Sequence, residues 1–145
     1  MTEYAPSPVD WVRDDVEHYE RTGTAADGRS VVVLTSVGAR TGLIRKTPLM
    51  RVESRGSYAV VASQGGRPTH PQWYGNLLAD PRVLLQDGLT RRPYLAREVT
   101  GEERTRWWNT ACVAFPSYAD YQSRTSRRIP VLVLEPRATV APVDG

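Results

Sequence analysis

The chain has 145 residues, of which 40% are hydrophobic and 24% are charged, and its formal net charge is +3, which together predict one globular domain with a substantial core. No apolar run approaches the ~20 residues of a membrane span and the first residues lack a signal-peptide pattern, so we expect a cytoplasmic protein. The single cysteine, Cys112, excludes an intrachain disulfide and a cysteine zinc cluster, and the mild positive charge favours anionic ligands without demanding nucleic acid.

A helix is predicted within residues 1–24, at the start of a single domain that spans residues 1–145. It begins at Ser7-Pro8-Val9-Asp10, where a serine cap, a proline and an acid fall in the order typical of helix starts. It should end near Thr22-Gly23. Its apolar stripe consists of Val9, Val12, Val16 and Tyr19, flanked by Trp11. We interpret this helix as docked on the rest of the domain, and a mobile flap over a site or on a membrane surface is the alternative.

Five strands are predicted in the middle of the chain, at residues 30–37, 48–53, 57–63, 82–86 and 90–99. The first is apolar on both faces, as expected of a central strand. Hairpin turns follow at Arg55-Gly56 and at Asp87-Gly88. Pro93 indicates that the fifth strand lies at an edge of the sheet or carries a bulge.

Helical segments and a last strand complete the pattern. A short helix is predicted over residues 71–79, and Thr100-Gly101-Glu102-Glu103 has the form of a capping box that opens the next helix. Pro116 ends that helix, a further short helix follows, and residues 129–135 form the last strand. About six strands in antiparallel hairpins with four helices predict a mainly β (α+β) fold, a closed or split barrel with peripheral helices.

The segment of residues 38–48 contains the only lysine of the chain, Lys46, among nineteen cationic side chains. Arg45 and Lys46 offer charge-assisted hydrogen bonds, and Thr47 adds a hydroxyl and an amide, so the three residues suit an anion. Across the same turn Ala39-Arg40-Thr41 could close a backbone nest around that anion. We predict that this segment binds the phosphate-bearing part of a cofactor, with a solvated hairpin turn as the alternative.

The loop after the third strand and the helix over residues 71–79 carry further candidates. Ser63-Gln64-Gly65-Gly66 ends the strand, and its glycines let backbone amides approach a flat ring closely. On the helix, the amide of Asn76 can satisfy ring carbonyl or hydroxyl groups. His70, just before the helix, is interpreted as capping or positioning it, and a proton donor is the alternative. The sequence offers no nucleophile with a base and an orienting partner, so hydrolysis is disfavoured.

Taken in order, several segments resemble those of the deazaflavin-dependent nitroreductases and quinone reductases. They are residues 33–42, 45–50, 61–66, 70–83, 86–88, 118–122 and 128–131. The resemblance implies a small split β-barrel of the flavin-reductase type, often dimeric. Its cofactor would be coenzyme F420, an 8-hydroxy-5-deazaflavin with a tail of phosphate and glutamates. It further implies an enzyme that transfers a hydride from the reduced cofactor, F420H2, to a quinone, a nitroaromatic or a similar electron-poor acceptor.

The resemblance also implies roles for individual residues. The cofactor ring would stack beside Trp73 and Ser63. The candidate catalytic residues are Ser63, Tyr118 and Tyr121, and the two tyrosines would line the acceptor pocket. Phe115 lacks a hydroxyl and disfavours nitroimidazole reduction, and no metal is expected. The predicted cofactor-binding residues are Ala39, Arg40, Thr41, Arg45, Lys46, Thr47, Pro48, Leu49, Met50, Val61, Ala62, Ser63, Gln64, Gln72, Trp73, Tyr74, Gly75, Asn76 and Tyr118.

Two other functions are open at this point. The same barrel could bind FMN, whose tail is a single phosphate, and catalyse redox chemistry with it. The domain could also store or bind an anionic cofactor without catalysis. A nucleic-acid partner is not expected because the basic residues are scattered. A monomer, a homodimer and a peripheral membrane contact are all compatible with the sequence.

Overall fold

The computed structural model describes residues 3–137, which form four α-helices, a short 3-10 helix and seven strands. In chain order these are α1 (Asp10–Thr22), β1 (Val31–Val37), β2 (Ile44–Met50), β3 (Glu53–Ser54), β4 (Ser57–Val61), the 3-10 helix (Gln64–Gly66), α2 (Gln72–Ala79), β5 (Arg82–Asp87), β6 (Thr90–Glu98), α3 (Gly101–Ala114), α4 (Ser117–Ser123) and β7 (Val131–Pro136). Among residues 3–137, no helix combines the length and the apolar character that crossing a bilayer requires.

The seven strands form one antiparallel sheet in the order β2-β1-β5-β6-β7-β4-β3. The two strands at the ends of this order, β2 and β3, are separated in the chain only by Arg51 and Val52. Because one bent stretch of chain therefore pairs with β1 and then with β4, the sheet curls round and closes on itself. At this corner the N–H of Ala59 donates to the carbonyl of Val52. The predicted barrel with peripheral helices is confirmed.

Alternate residues of the strands point into the barrel and out of it. Leu34, Leu85 and Leu134 are fully buried inside, in a cluster that also holds Trp73 and Leu77 of α2. Helices cover much of the outside: α1 packs on β1, and α3 and α4 pack on β4 and β7. The cleft that concerns function lies where α1, α2 and α4 come together around β2 and the end of β4.

Strand β2 begins at Ile44, four residues earlier than predicted. The turn before β2 is shorter than predicted. The N–H of Gly38 donates to the carbonyl of Leu43 at 2.7 Å, and Val37 pairs directly with Ile44. The expectation that residues 44–47 belong to the turn was therefore wrong. Arg45 and Lys46 are neighbours in an extended strand, so their side chains leave its two opposite faces.

Pro93 does not mark an edge strand, because β6 pairs with β5 on one side and with β7 on the other. Its pairing with β7 begins only at Tyr94, opposite Pro136. The carbonyl of Pro93 accepts from the N–H of Arg137, so this residue's backbone faces the end of β7. The missing N–H of Pro93 therefore lies beyond the paired part of β6 and β7, and the proline breaks no hydrogen bond between the two strands.

Neither predicted side-chain cap forms. Helix α1 begins at Asp10, and the hydroxyl of Ser7 accepts a hydrogen bond from the N–H of Val9 just before it. Thr100 does precede α3, but Glu103 does not reach back to it. The carboxylate of Glu103 is held by the guanidinium of Arg97 at 2.6 Å, and an ion pair with both partners charged outcompetes a hydrogen bond from the neutral N–H of Thr100. Gly23 ends α1 in the left-handed conformation, as predicted.

Candidate active site

Three cavities adjoin around the N-terminal turn of α2. The first, here called the turn cavity, has a volume of about 720 Å³ and is bounded by the β1–β2 turn. The second, the edge cavity, has about 340 Å³ and lies beside β2, between the segment before α1 and α2. The third, the aromatic cavity, has about 350 Å³ and lies between β2, β4 and α4. Pro71 borders the turn and aromatic cavities, Gln72 the turn and edge cavities, and Trp73 the edge and aromatic cavities. The three neighbouring cavities are here together called the groove.

Nearly all the residues that were predicted from the sequence to bind the cofactor or the acceptor line the groove. The turn cavity is lined by Ala39, Arg40, Thr41, Arg45, Gln72, Tyr74, Gly75 and Asn76. Lys46 and Thr47 line the edge cavity. The aromatic cavity is lined by Pro48, Leu49, Met50, Val61, Ser63, Gln64, Trp73, Tyr118 and Tyr121. Ala62 is the exception, because it is fully buried in the barrel core, where its side chain meets no cavity.

Asn76 fixes the position of the β1–β2 turn. Its side-chain oxygen accepts a hydrogen bond from the N–H of Ala39 at 2.9 Å, which ties the turn to α2. The hydroxyl of Thr41 accepts from the N–H of Leu43 at 3.2 Å and braces the turn from within. A side chain at Gly38 would lie 2.9 Å from that hydroxyl, so glycine is required for this close packing. Asn76 thus has its carbonyl oxygen engaged within the protein, and its amide donors remain for a ligand.

The two neighbouring cations of β2 have different surroundings. Lys46 donates to the carboxylate of Glu20 on α1 at 2.7 Å, and its ammonium also lies 4.5 Å from the centre of the Tyr4 ring. Glu20 is shared with Arg91, at 3.0 Å. Within residues 3–137, Arg45 donates only to the backbone carbonyl of Ala5, at 3.3 Å, and it borders both the turn cavity and the edge cavity. Arg45 therefore keeps its charge available to an anion, whereas the protein itself supplies a counter-ion to Lys46.

Tyr118 and Tyr121 occupy one wall of the aromatic cavity but differ in burial. Tyr118 is only 4% exposed and packs edge-on against Phe115, with ring centres 5.0 Å apart. Burial, and to a lesser extent the neighbouring Tyr121, raises the pKa of Tyr118, so its hydroxyl stays protonated at neutral pH. Tyr121 is half-buried and reaches the cavity from the same helix. The wall is thus part of the core as well as part of the site.

The structure adds residues that sequence reasoning did not assign to a site. Trp11 of α1 is 63% exposed and borders the aromatic cavity, so the N-terminal helix contributes to the groove. In the sequence, the only indication that Trp11 belongs to the site was its position beside the apolar stripe of α1 rather than within it. Arg127 binds the loop after β4 through four acceptors. No local pattern marks Arg127, because those acceptors lie about sixty positions earlier in the chain.

Solved structures resemble this chain closely. The structure of an F420-H2 dependent reductase, FDR-A, is 52% identical with a TM-score of 0.70, over 74% of this chain and 95% of that one. A second, described as a domain-swapped dimer, is 48% identical with a TM-score of 0.72, over 89% of this chain and all of the other. The heme storage protein HutZ of Vibrio cholerae, 14% identical with a TM-score of 0.58 over 88% of this chain and 92% of that one, shares the fold alone.

Sequence comparison leads to the same group of enzymes. An F420H(2)-dependent quinone reductase of Mycobacterium tuberculosis is 38% identical over 109 residues, which are 73% of this chain and 73% of that protein. The family model described as F420H(2)-dependent quinone reductase matches residues 11–136. The resemblance drawn from the sequence is thereby confirmed, and with it the cofactor, coenzyme F420. The chain belongs to the F420H(2)-dependent quinone reductase family.

Proposed function

We propose that this chain reduces a quinone with F420H2 held along the groove, with the tail of the cofactor at the cationic end and the ring at the aromatic end. The cofactor supplies a hydride when it is reduced. The observation that carries the proposal is that an arginine-lined cavity and an aromatic one lie side by side, with Pro71, Gln72 and Trp73 as walls shared among the neighbouring cavities. A ligand with an acidic tail and a flat apolar head requires that combination.

The cationic end suits phosphate and carboxylate groups. Arg40 and Arg45 present guanidinium forks, which bind such groups through paired hydrogen bonds. Thr41 adds a hydroxyl in the turn cavity, and Thr47 adds one at the edge of β2. In this proposal Arg45 is the principal tail-binding residue, because it borders two cavities and has no acidic partner among residues 3–137. Lys46 takes part only when Glu20 releases it.

The aromatic end suits a flat ring and its acceptor. Pro48, Leu49 and Met50 form one wall and Trp73 lies beside them, so the ring is held largely by apolar contacts that exclude water. The backbone at Gly65 is open, since a side chain there would meet nothing within 4 Å. Ser63 lies at the end of β4 and borders this cavity, where its hydroxyl can orient the ring edge.

The acceptor is proposed to enter against Phe115 and the two tyrosines of α4. These side chains offer a flat, mostly apolar surface, which favours a quinone. The hydroxyls of Ser63 and Tyr121 are the groups placed to hold or deliver a proton to a reduced acceptor oxygen. Nitroaromatic acceptors belong to the same proposal, since they are also flat and electron-poor, but with lower rates because Phe115 has no hydroxyl.

Purified protein with F420H2 tests the proposed function directly. We expect oxidation of F420H2, followed by its absorbance, to accelerate with menadione and less so with nitroaromatics. Reduced FMN serves as the matched alternative donor. Turnover with FMN but not with F420 would support an FMN enzyme, and tight F420 binding without turnover of any acceptor would support storage. Either result would overturn the proposal.

A homodimer is proposed as the assembly, on the strength of the 48% identical relative described as a domain-swapped dimer. Light scattering at several protein concentrations would measure the mass, and a monomer throughout would contradict it. A cytoplasmic location and a peripheral membrane contact stay predictions from sequence. Flotation of the protein with vesicles would test the contact.

A further inference from the structure

The side chain of Arg127, between α4 and β7, holds together the loop that leads from β4 to α2. Its guanidinium donates to the carbonyls of Ala62 at 3.1 Å, Ser63 at 2.7 Å and Arg67 at 2.9 Å. A fourth contact, at 2.8 Å, joins it to Nδ1 of His70. One side chain therefore binds both ends of the loop that supplies Ser63 to the aromatic cavity and His70 to the turn cavity.

Arg127 is itself held in place by α4. The side-chain amide of Gln122 donates to the carbonyl of Arg127 at 2.8 Å, and its oxygen accepts from the N–H of Ile129 at 3.0 Å. On the other side of the loop, Gly66 touches α4 so closely that a side chain there would lie 2.7 Å from the carbonyl of Tyr121. The backbone at Arg127 and the loop at Gly66 are thus both held against the helix that carries the two tyrosines.

The contact between Arg127 and His70 determines where the imidazole keeps its proton. A guanidinium has only donors and stays charged: burial lowers the pKa of Arg127, but from a value far above neutrality. Nδ1 of His70 must therefore accept, and the proton of the neutral ring resides on Nε2.

We propose that Arg127 is a positioning residue that fixes His70 as the Nε2–H tautomer, so that His70 offers this N–H as a neutral donor to an anionic oxygen in the turn cavity. His70 borders that cavity beside Arg40 and Arg45, and its ring lies 4.8 Å from that of Tyr74. The recognised group is a phosphate or carboxylate oxygen. The assignment of this oxygen to F420 rests on the proposed function, whereas the assignment of the His70 tautomer does not.

Nitrogen-15 NMR of the histidine rings tests the tautomer in the free protein at about pH 8, where an ordinary imidazole is neutral. The chain has only two histidines, so the His70→Gln variant assigns the signals and His18 is an internal reference. We expect His70 to show a protonated Nε2 and an unprotonated Nδ1. A protonated Nδ1, or rapid exchange between both forms as in a free imidazole, would overturn the proposal.

Substitution of Arg127 tests its positioning role. In Arg127→Leu we expect His70 to become a mixture of tautomers and the Kd for F420 to rise about tenfold, as for a lost charge-assisted contact. Arg128→Leu removes a neighbouring exposed arginine and should change neither quantity. If Arg127→Leu does not fold, the result in the unmodified protein still decides the tautomer. A pure Nε2–H form in a folded Arg127→Leu would refute the role of Arg127.

Addition of oxidised F420 to the labelled protein tests the ligand contact separately. We expect the Nε2–H proton of His70 to shift on binding, and the signals of His18 to stay in place. Binding seen by tryptophan fluorescence without any change at His70 would remove His70 from the ligand site. No binding at all would contradict the proposed function instead. The NMR spectrum of the free protein would still decide the tautomer of His70.

Discussion

The ammonium of Lys46 lies 2.7 Å from the carboxylate of Glu20, so the single lysine of the chain is already neutralised by an acid of the N-terminal helix. Both side chains are mostly buried, with 18% and 20% of their surface exposed. The pair fastens α1 to the edge of the barrel beside the groove. An anionic ligand that approaches Lys46 has to compete with Glu20 for it.

Substitution of Glu20 separates these two effects. In Glu20→Gln we expect the free energy of unfolding to fall by about 1 kcal/mol, because Lys46 and Arg91 both lose their partner, and Tm to fall by about 3 °C. The affinity for F420 should rise about threefold as the competing carboxylate disappears. Calorimetry and fluorescence titration measure the two changes. The exposed Glu17, on the same helix, provides the control Glu17→Gln, and weaker F420 binding in Glu20→Gln alone would contradict the competition.

Arg45 and Lys46 are expected to contribute unequally to cofactor binding. Arg45→Ala should raise the Kd for F420 about tenfold, a loss of about 1.4 kcal/mol, because Arg45 is open to two cavities. Lys46→Ala should change it less than about threefold, because its ammonium is held by Glu20. Fluorescence quenching gives both constants, with Arg92→Ala on β6 as a control far along the sheet. Equal losses of F420 affinity in the two variants would show that the ion pair with Glu20 does not reduce the contribution of Lys46 to cofactor binding.

Tyr118 is expected to matter for folding as much as for catalysis. Tyr118→Ala leaves a cavity beside Phe115 and Trp108 and should lower the free energy of unfolding by about 3–5 kcal/mol. Tyr118→Phe keeps the ring, so it should unfold within about 1 kcal/mol of the unmodified protein. Urea denaturation measures both. A nearly unchanged stability in Tyr118→Ala would mean that this wall of the groove repacks freely.

Two adjacent glycines allow a matched test of the contact between the loop and α4. Gly65 and Gly66 both have positive φ, so alanine at either position adds backbone strain of about 1 kcal/mol. Only at position 66 would the new side chain collide, 2.7 Å from the carbonyl of Tyr121. We therefore expect Gly66→Ala to lower Tm well below that of Gly65→Ala. Similar values for the two variants would argue that the loop and α4 move independently.

Much of the fold follows from local patterns along the chain. Apolar runs and hairpin turns located most strands, and Gly23 and Pro116 marked the ends of two helices correctly. Three of the wrong predictions share one cause. The start of β2, the place of Pro93 and the cap of α3 depend on which strand or charged group lies opposite, and residue type alone does not reveal that partner even where, as for Arg97 and Glu103, it is only six positions away.

The sequence by itself determined the type of protein, since hydrophobic period, turns and an ordered set of motifs are properties of short stretches of chain. It also nominated the residues of the groove. Only the tertiary structure decided how they act. Strand alternation sent Arg45 and Lys46 to opposite faces, α1 brought Glu20 to Lys46, and the segment after α4 brought Arg127 to His70. Charges and hydrogen bonds act over a few ångströms of space, whatever the distance along the chain.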